Sequence, residues 1–347
     1  MLSYLNIVVV LAIVLISLYK AEKRQDNNAL SLEQGSCIKG IAAVFLILVH
    51  IKNALANPGS YAVLSSAGFL FVAVFFFYSG YGITKKAISD KSYIPKRMIL
   101  KVLALFKMIV ITEIIYLLVY MLFLRKEYDF PSVIKAVFGI NLLNGAMWYI
   151  VALLIIYSAT IVFSVFNRNG GYTFIAVLAV GTYVLISALR GRAPHEMQSC
   201  IAYVIGAYYA EDVERKSSEK MRNPLLLLGM LCISFAVPYV LRHFWVDSSV
   251  IRVVFGSLSS VFFVRFLILM LEKVKIENGF LVQIGKVSTE IYLSHQLVIN
   301  IFVFTFPKWF QEKTSIVLSL VIIITVLIIS LGINQIEFLI KQRRQVL

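Results

Sequence analysis

The sequence predicts an all-α polytopic membrane protein with about eleven membrane-spanning helices, and three observations predict it. Of the 347 residues, 60% are hydrophobic and only 15% are charged, with a mean hydropathy of +0.86. A soluble domain of this length cannot hide so much apolar surface, because its outside must stay largely polar. Apolar runs also recur along the whole chain, many near the ~20 residues that cross ~30 Å of hydrocarbon. Finally, lysine and arginine concentrate in alternate loops, as they do in multipass chains.

Taken in order, the first run is Leu2–Tyr19. It has no basic segment before it and is followed by KAEKR instead of small cleavage-site residues, so it reads as a retained signal-anchor. The next runs are Ile38–Ile51, Leu64–Ile83, Met98–Leu124, Trp148–Phe166 and Tyr172–Leu189. Ser199–Tyr209 follows and is short for a full crossing, so a half-helix buried in the bundle is an alternative there. Pro224–Leu241, Val250–Leu271, Phe280–Phe304 and Ile316–Ile340 complete the set. No intervening stretch is long or polar enough for a soluble domain, and there is no internal repeat, so residues 1–347 read as one integral membrane domain.

The formal net charge of +15 is what loop lysines and arginines give, and it does not call for a nucleic-acid partner. One alternating set of loops holds Lys20, Lys23, Arg24, Lys85, Lys86, Lys91, Lys96, Arg97, Arg168, Arg215, Lys216, Lys220, Arg222, Lys273, Lys275, Lys341, Arg343 and Arg344. The other holds Lys52, Arg125, Lys126, Lys135, Arg190, Arg192, Arg242, Lys308 and Lys313. The bias of 18 to 9 places the N terminus outside and the C terminus in the cytoplasm. Cys37, Cys200 and Cys232 lack metal-ligand or CxxC spacing and read as small apolar fillers, with no metal site implied.

Ionisable groups at membrane depth are costly, so each needs a partner or a job. Lys39 and His50 in CIKGIAAVFLILVH are eleven residues apart. That is almost three helical turns, which puts both on one face about 16 Å apart along the axis. A buried imidazole suits proton transfer; a hydrogen-bonded histidine and a snorkelling lysine are the structural alternative. FFFYSGYGIT carries Ser79 and Gly80, which allow close approach by a helix or a ligand chain. Lys85, Lys86, Lys91, Lys96, Arg97 and Lys101 form a basic cluster suited to phosphates, although topology alone also places cations there. In GKVSTEIYLSHQ, Ser288, Tyr292 and His295 share one helical stripe, and Lys286 stands four residues before Glu290 where it can neutralise it. Such a stripe suits a cavity lining or an interhelical hydrogen-bond cluster. Glu113 is a further acid inside an apolar run, with no partner evident in the sequence.

These motifs, in this order, resemble the membrane acyltransferase-3 family. The resemblance rests on Lys39, Gly40 and His50; on FFFYSG ending at Ser79 and Gly80; on Lys96, Arg97 and Lys101; and on Trp148 in MWYI. It continues with YVIGAYYA around Gly206 and ends with Ser288, Ile291, Tyr292, Leu293 and His295. It covers residues 36–295 and implies a bundle of ten helices in 36–347, with residues 1–35 an extra anchor helix and basic loop. Lys39 and Lys101 stand where many members carry Arg; lysine keeps the charge but loses the planar fork.

The resemblance implies an O-acyltransferase of a bacterial cell membrane that moves an acetyl group from cytoplasmic acetyl-CoA to a sugar hydroxyl of an envelope polysaccharide. His50 is then the general base, or the carrier of an acetyl-His intermediate. Ser79, Tyr292 or His295 would donate to the developing oxyanion or orient the acceptor, and Glu113 joins this candidate catalytic set. Lys39, Lys85, Lys86, Lys96, Arg97 and Lys101 would hold the coenzyme A phosphates. Trp148, Tyr149, Arg190 and His195 would line the sugar entrance, where aromatic faces suit the apolar faces of rings. A glycan transporter or flippase also carries intramembrane charge, but commonly with paired repeats. A polysaccharide polymerase is the other rival.

Overall fold

A computed structural model describes residues 7–26, 28–166, 171–212, 224–244, 248–312 and 316–346. The start of the first predicted span, together with Arg168, Arg215, Lys216, Lys220, Arg222 and Lys313 from the loop tally, lies outside the described residues. So do the side chains of Arg242, Lys341, Arg343 and Arg344.

In chain order the elements are α1 (Ile7–Leu18), β1 (Ala21–Lys23), α2 (Leu32–Ala54), α3 (Gly68–Ser89), α4 (Met98–Leu122), α5 (Phe130–Val137) and α6 (Trp148–Phe166). They continue with α7 (Tyr172–Leu189), α8 (Pro194–Gln198), α9 (Ile201–Asp212), α10 (Pro224–His243), α11 (Ser249–Lys273) and β2 (Val274–Ile276). The chain closes with α12 (Gly279–Lys286), α13 (Ser288–Thr305), α14 (Pro307–Glu312) and α15 (Ile316–Val346). A π-helical turn, Tyr93–Arg97, leads into α4. Contacts divide the chain into two compact units, Met1–Gly68 with Leu271–Leu347, and Phe69–Met270.

Every predicted apolar run is helical, but several ends differ. Helix α2 starts six residues earlier than expected, because the Ser31 hydroxyl caps it by accepting from the Gln34 amide at 3.2 Å. Helix α3 runs on to Ser89, so Lys85 and Lys86 stand on its last turns and not in a loop. The tenth run is not one straight span: α12 and α13 meet at Val287 with a bend of 73°. The reading of Lys286 as the neutraliser of Glu290 is therefore corrected, since an i,i+4 neighbourhood needs a continuous helix. Glu290 Oε1 instead accepts from Asn334 Nδ2 on α15 at 3.0 Å.

Among the described residues, seven helices are long and apolar enough to cross a membrane, or eight if the bent pair is one span. Two further observations concern the shorter elements. Helix α7 ends at Leu189, yet Glu211 on α9 accepts from the amides of Tyr172 and Thr173 at the start of α7, at 2.5 and 3.1 Å. The segment between Leu189 and Glu211 thus travels back along the whole of α7. Its first part is the turn and α8, which leaves α9 only twelve residues. Strands β1 and β2 pair antiparallel, Glu22 opposite Lys275, a feature an all-helical expectation lacks. Paired strands lie within ~5 Å of each other while the hydrocarbon is ~30 Å thick, so these two loops share a side of the membrane.

In the first unit, Gln34 locks α2 to the ribbon: its Nε2 donates to the Ile276 carbonyl at 2.9 Å and its Oε1 accepts from the Ile276 amide at 3.0 Å. Helices α2 and α12 then touch backbone to backbone. A Cβ on Gly285 would stand 1.8 Å from the Ser36 carbonyl oxygen, and one on Gly40 2.5 Å from that of Leu281. The second unit repeats the device, with Gly80 of α3 against Tyr203 O and Gly206 of α9 against Phe77 O, each at 2.1 Å from a built Cβ. Small residues let helices approach this closely in lipid.

Candidate active site

In the first unit, α2 carries Lys39 and His50, while α13 carries Tyr292 and His295. The His50 and His295 rings meet edge to face, with centroids 4.7 Å apart and planes at 62°. The Tyr292 ring lies 5.8 Å from that of His295. His295 is almost completely enclosed, at 1% exposed. Its Nδ1 lies 2.9 Å from the Ile291 carbonyl; a carbonyl only accepts, so Nδ1 holds the proton. In the neutral ring Nε2 then offers a lone pair, and among the described residues it has no hydrogen-bond partner. The expectation that neutral His295 donates to an oxyanion loses its donor, because the one N–H is already given to the backbone. Its neighbours on α13 have structural partners: Ser294 Oγ is 3.2 Å from Ser330 Oγ on α15. Lys39 stands half-buried on α2.

The second unit holds the other candidates. Ser79 lies 3.3 Å from the Tyr149 hydroxyl and also bonds the Tyr157 side chain. Tyr149 is packed edge-on against Phe76 at 4.8 Å, so it joins this hydroxyl cluster and not Trp148 at a sugar entrance. Glu113 has a clear structural role. Fully buried, it accepts from the amides of Leu143 and Asn144 at 2.7 and 3.2 Å, and the Asn144 side chain caps the next turn through the Ala146 amide at 3.0 Å.

The basic cluster gathers around a residue the sequence reading passed over. Lys86 and Lys101 approach the buried Tyr93 ring, 5.7 and 6.0 Å from its centroid, and Lys85 lies 5.5 Å from that of Tyr81. Asp90 shapes the turn between them by accepting from the Ser92 amide and hydroxyl at 2.9 and 2.7 Å. These bonds hold its carboxyl below the usual range. Lys85, Lys86, Lys91, Lys96 and Arg97 are exposed, and Arg97 reaches Asp90 only at 4.0 Å. The only sequence signal for Tyr93 was an aromatic inside a basic run.

Trp148, Arg190 and His195 do come together. The Trp148 and His195 rings are edge to face at 6.0 Å, and Trp148 and Arg190 line a small depression with a cavity volume of about 20 Å³. Tyr183, Ser187, Arg192 and Glu196 line it too, residues that no periodic pattern singles out. No group of three or more potential metal ligands occurs among the described residues. Cys37, Cys200 and Cys232 are free thiols.

A protein-family model described as an acyltransferase domain matches residues 36–334. Neither the curated proteins nor the solved structures provide a match to the chain.

Proposed function

The chain belongs to the acyltransferase-3 family and is a membrane acyltransferase, and from that premise we propose that it moves an acetyl group from acetyl-CoA to a hydroxyl of an envelope or exopolysaccharide sugar, with His50 as general base. The observation that carries this reading is the His50–His295 pair at 4.7 Å. One imidazole has its free lone pair held inside the unit, and the other is half-buried on the helix of Lys39.

In the proposed step His50 takes the proton of the sugar hydroxyl as its oxygen attacks the thioester carbonyl carbon. The C–S bond breaks, the acetyl ester forms, and the thiolate of coenzyme A leaves with the proton that His50 held. The edge-to-face contact with His295 holds the His50 ring during this exchange, and Tyr292 packs against His295. Lys39 on α2 serves the phosphates of the donor, for which a compact ammonium is a point charge and not a fork. The loop charge bias of 18 to 9 supports a cell-membrane topology with the N terminus outside and the C terminus in the cytoplasm. Pairing of β1 with β2 agrees, because both loops belong to the basic set.

The test is His50→Ala, with acetyl ester on the surface glycan read by NMR and protein abundance in the membrane read in parallel. Loss of a general base costs typically ~10²–10⁴-fold. A loss below about tenfold at normal abundance would refute the assignment. Loss of glycan export or chain length with acetylation intact would move the protein to the transport or polymerisation class.

A further inference from the structure

Helices α2 and α13 leave the histidine pair in the same direction and meet again on α14. The His50 and His295 rings touch at one level. Further along, the Ala56 amide, just past the end of α2, donates to the Phe310 carbonyl of α14 at 3.0 Å. Phe302 stands two turns after His295, so it shares the His295 stripe about 10 Å along the axis. From there the rings form a ladder: Phe302 lies 5.8 Å from Phe306, and Phe306 stacks on Trp309 at 5.1 Å with the planes at 27°. Backbone bonds fix it, the Phe306 amide on the Phe302 carbonyl at 2.8 Å and the Trp309 amide on the Phe306 carbonyl at 3.1 Å.

The ladder opens as it leaves the histidines. Phe310 is buried and seats α14 on the unit, whereas Phe306 and Trp309 are 40% and 50% exposed. Lys308 and Gln311, before and after Trp309 in the chain, are exposed. On α13, between His295 and Phe302, Gln296 Nε2 donates to Asn300 Oδ1 at 2.9 Å. Tryptophan is common at a membrane interface, and that accounts for Trp309 alone. It does not account for a stacked platform tied to both helices that carry the histidines, nor for the hydrogen-bonding side chains along the way. An aromatic face beside polar ends suits a sugar, with its apolar ring face and its hydroxyls. A lipid acyl chain has no use for the polar ends.

We propose that Phe306 and Trp309 form a subsite for the acceptor glycan, stacking on a sugar residue further along the chain than the one acetylated. This rests on the reading of transfer to a glycan at His50. It adds that the acceptor is an oligosaccharide or polymer. A single sugar at His50 does not span two turns of helix, so monosaccharides lack this contact and are poor acceptors.

The experiment uses the full chain in phosphatidylcholine nanodiscs with acetyl-CoA. The acceptor probe is the surface polysaccharide of the source strain, freed of esters by mild alkali, cut by partial acid hydrolysis and separated by size. Wild-type kcat/KM is expected to climb from single residues to long fragments. Trp309→Ala is expected to flatten that climb, raising the KM of the longest fragments on the order of fivefold, the scale of one aromatic contact. Single residues and kcat are expected to change far less, and Trp309→Phe to recover most of the loss. The same length dependence in W309A as in wild type, whether or not overall activity falls, would overturn the proposal. Strong quenching of Trp309 fluorescence in dibrominated phosphatidylcholine nanodiscs, taken as the difference between wild type and W309F, would overturn it too, by placing the ring among acyl chains. Fragment binding is read separately, as a fluorescence change that W309F removes. Binding that favours long fragments without any transfer of acetyl would sink the transferase reading and leave the subsite standing. Transfer that ignores fragment length would do the reverse.

Discussion

Two buried polar clusters, one in each unit, are satisfied to different degrees although the units pack their helices by the same device. Each unit has a reciprocal pair of glycines where backbones touch, Gly40 with Gly285 in one and Gly80 with Gly206 in the other. In the second unit, Ser79 closes on Tyr149 and Tyr157, and Glu113 on two backbone amides. In the first unit, His295 gives one nitrogen to the backbone and leaves the other buried without a partner among the described residues. An unmet buried acceptor costs about 1–3 kcal/mol, a cost that a purely structural cluster has no reason to carry. Satisfied clusters hold a bundle together, whereas an unsatisfied one is where chemistry is expected.

That contrast breaks most sharply at His295. Replacement by Ala removes the lone pair and is expected to lower the acetylation rate by about 10²-fold, as an altered acid–base partner does. His295→Gln restores an acceptor through its amide oxygen and is expected to recover part of the rate, with the pH profile of the remaining activity shifted. Both variants would be compared at equal membrane abundance. An Ala variant with wild-type rate and pH profile would leave the unpartnered nitrogen without a job and erase the difference between the units.

The glycine device is sharpened by substitutions that hit backbone and not side chains. Gly285→Ala places a methyl group 1.8 Å from the Ser36 carbonyl oxygen, and Gly206→Ala places one 2.1 Å from that of Phe77. Neither obstacle can rotate away, so each is expected to cost about 3 kcal/mol, the upper part of the usual overpacking range. Thermal unfolding in detergent reads this directly. If the device is shared, the two variants fall together; a large loss at one and none at the other would show that only one contact is tight.

Much of this was legible in the sequence because lipid imposes a length and a hydropathy on every crossing. Among the described residues each of the eleven runs is helical, the tenth as two helices, and Lys39, His50, Ser288, Tyr292 and His295 take the helical spacing assigned to them. Three things escaped. The break at Val287 lies inside an apolar run, where continuity looks the same whether or not the helix bends, and this is why Lys286 and Glu290 were paired in error. The ribbon of β1 and β2 is built of three-residue strands in polar loops, too short for any period to register. Long-range meetings such as His50 with His295 are set by which glycines let two helices touch, and one sequence does not reveal partners hundreds of residues apart. Glu113 illustrates the same point: its residue type marks a buried polar group, but the Leu143 and Asn144 amides that it accepts from are thirty residues away and carry no signal in the sequence.

The smallest expected effect belongs to Ser79, which the family resemblance places among the candidate catalytic groups and the geometry places in a closed hydroxyl cluster. Its Oγ lies 3.3 Å from the Tyr149 hydroxyl, so Ser79→Ala removes one hydrogen bond of a buried network, worth ~1 kcal/mol in net stability. The acetylation rate is expected to fall by less than about tenfold, with the apparent KM for acetyl-CoA unchanged. A rate loss of about 10²-fold with stability intact would place a reacting atom within reach of Ser79. The second unit would then join the first as a seat of chemistry, and satisfied hydrogen bonds would no longer mark which buried polar groups are structural.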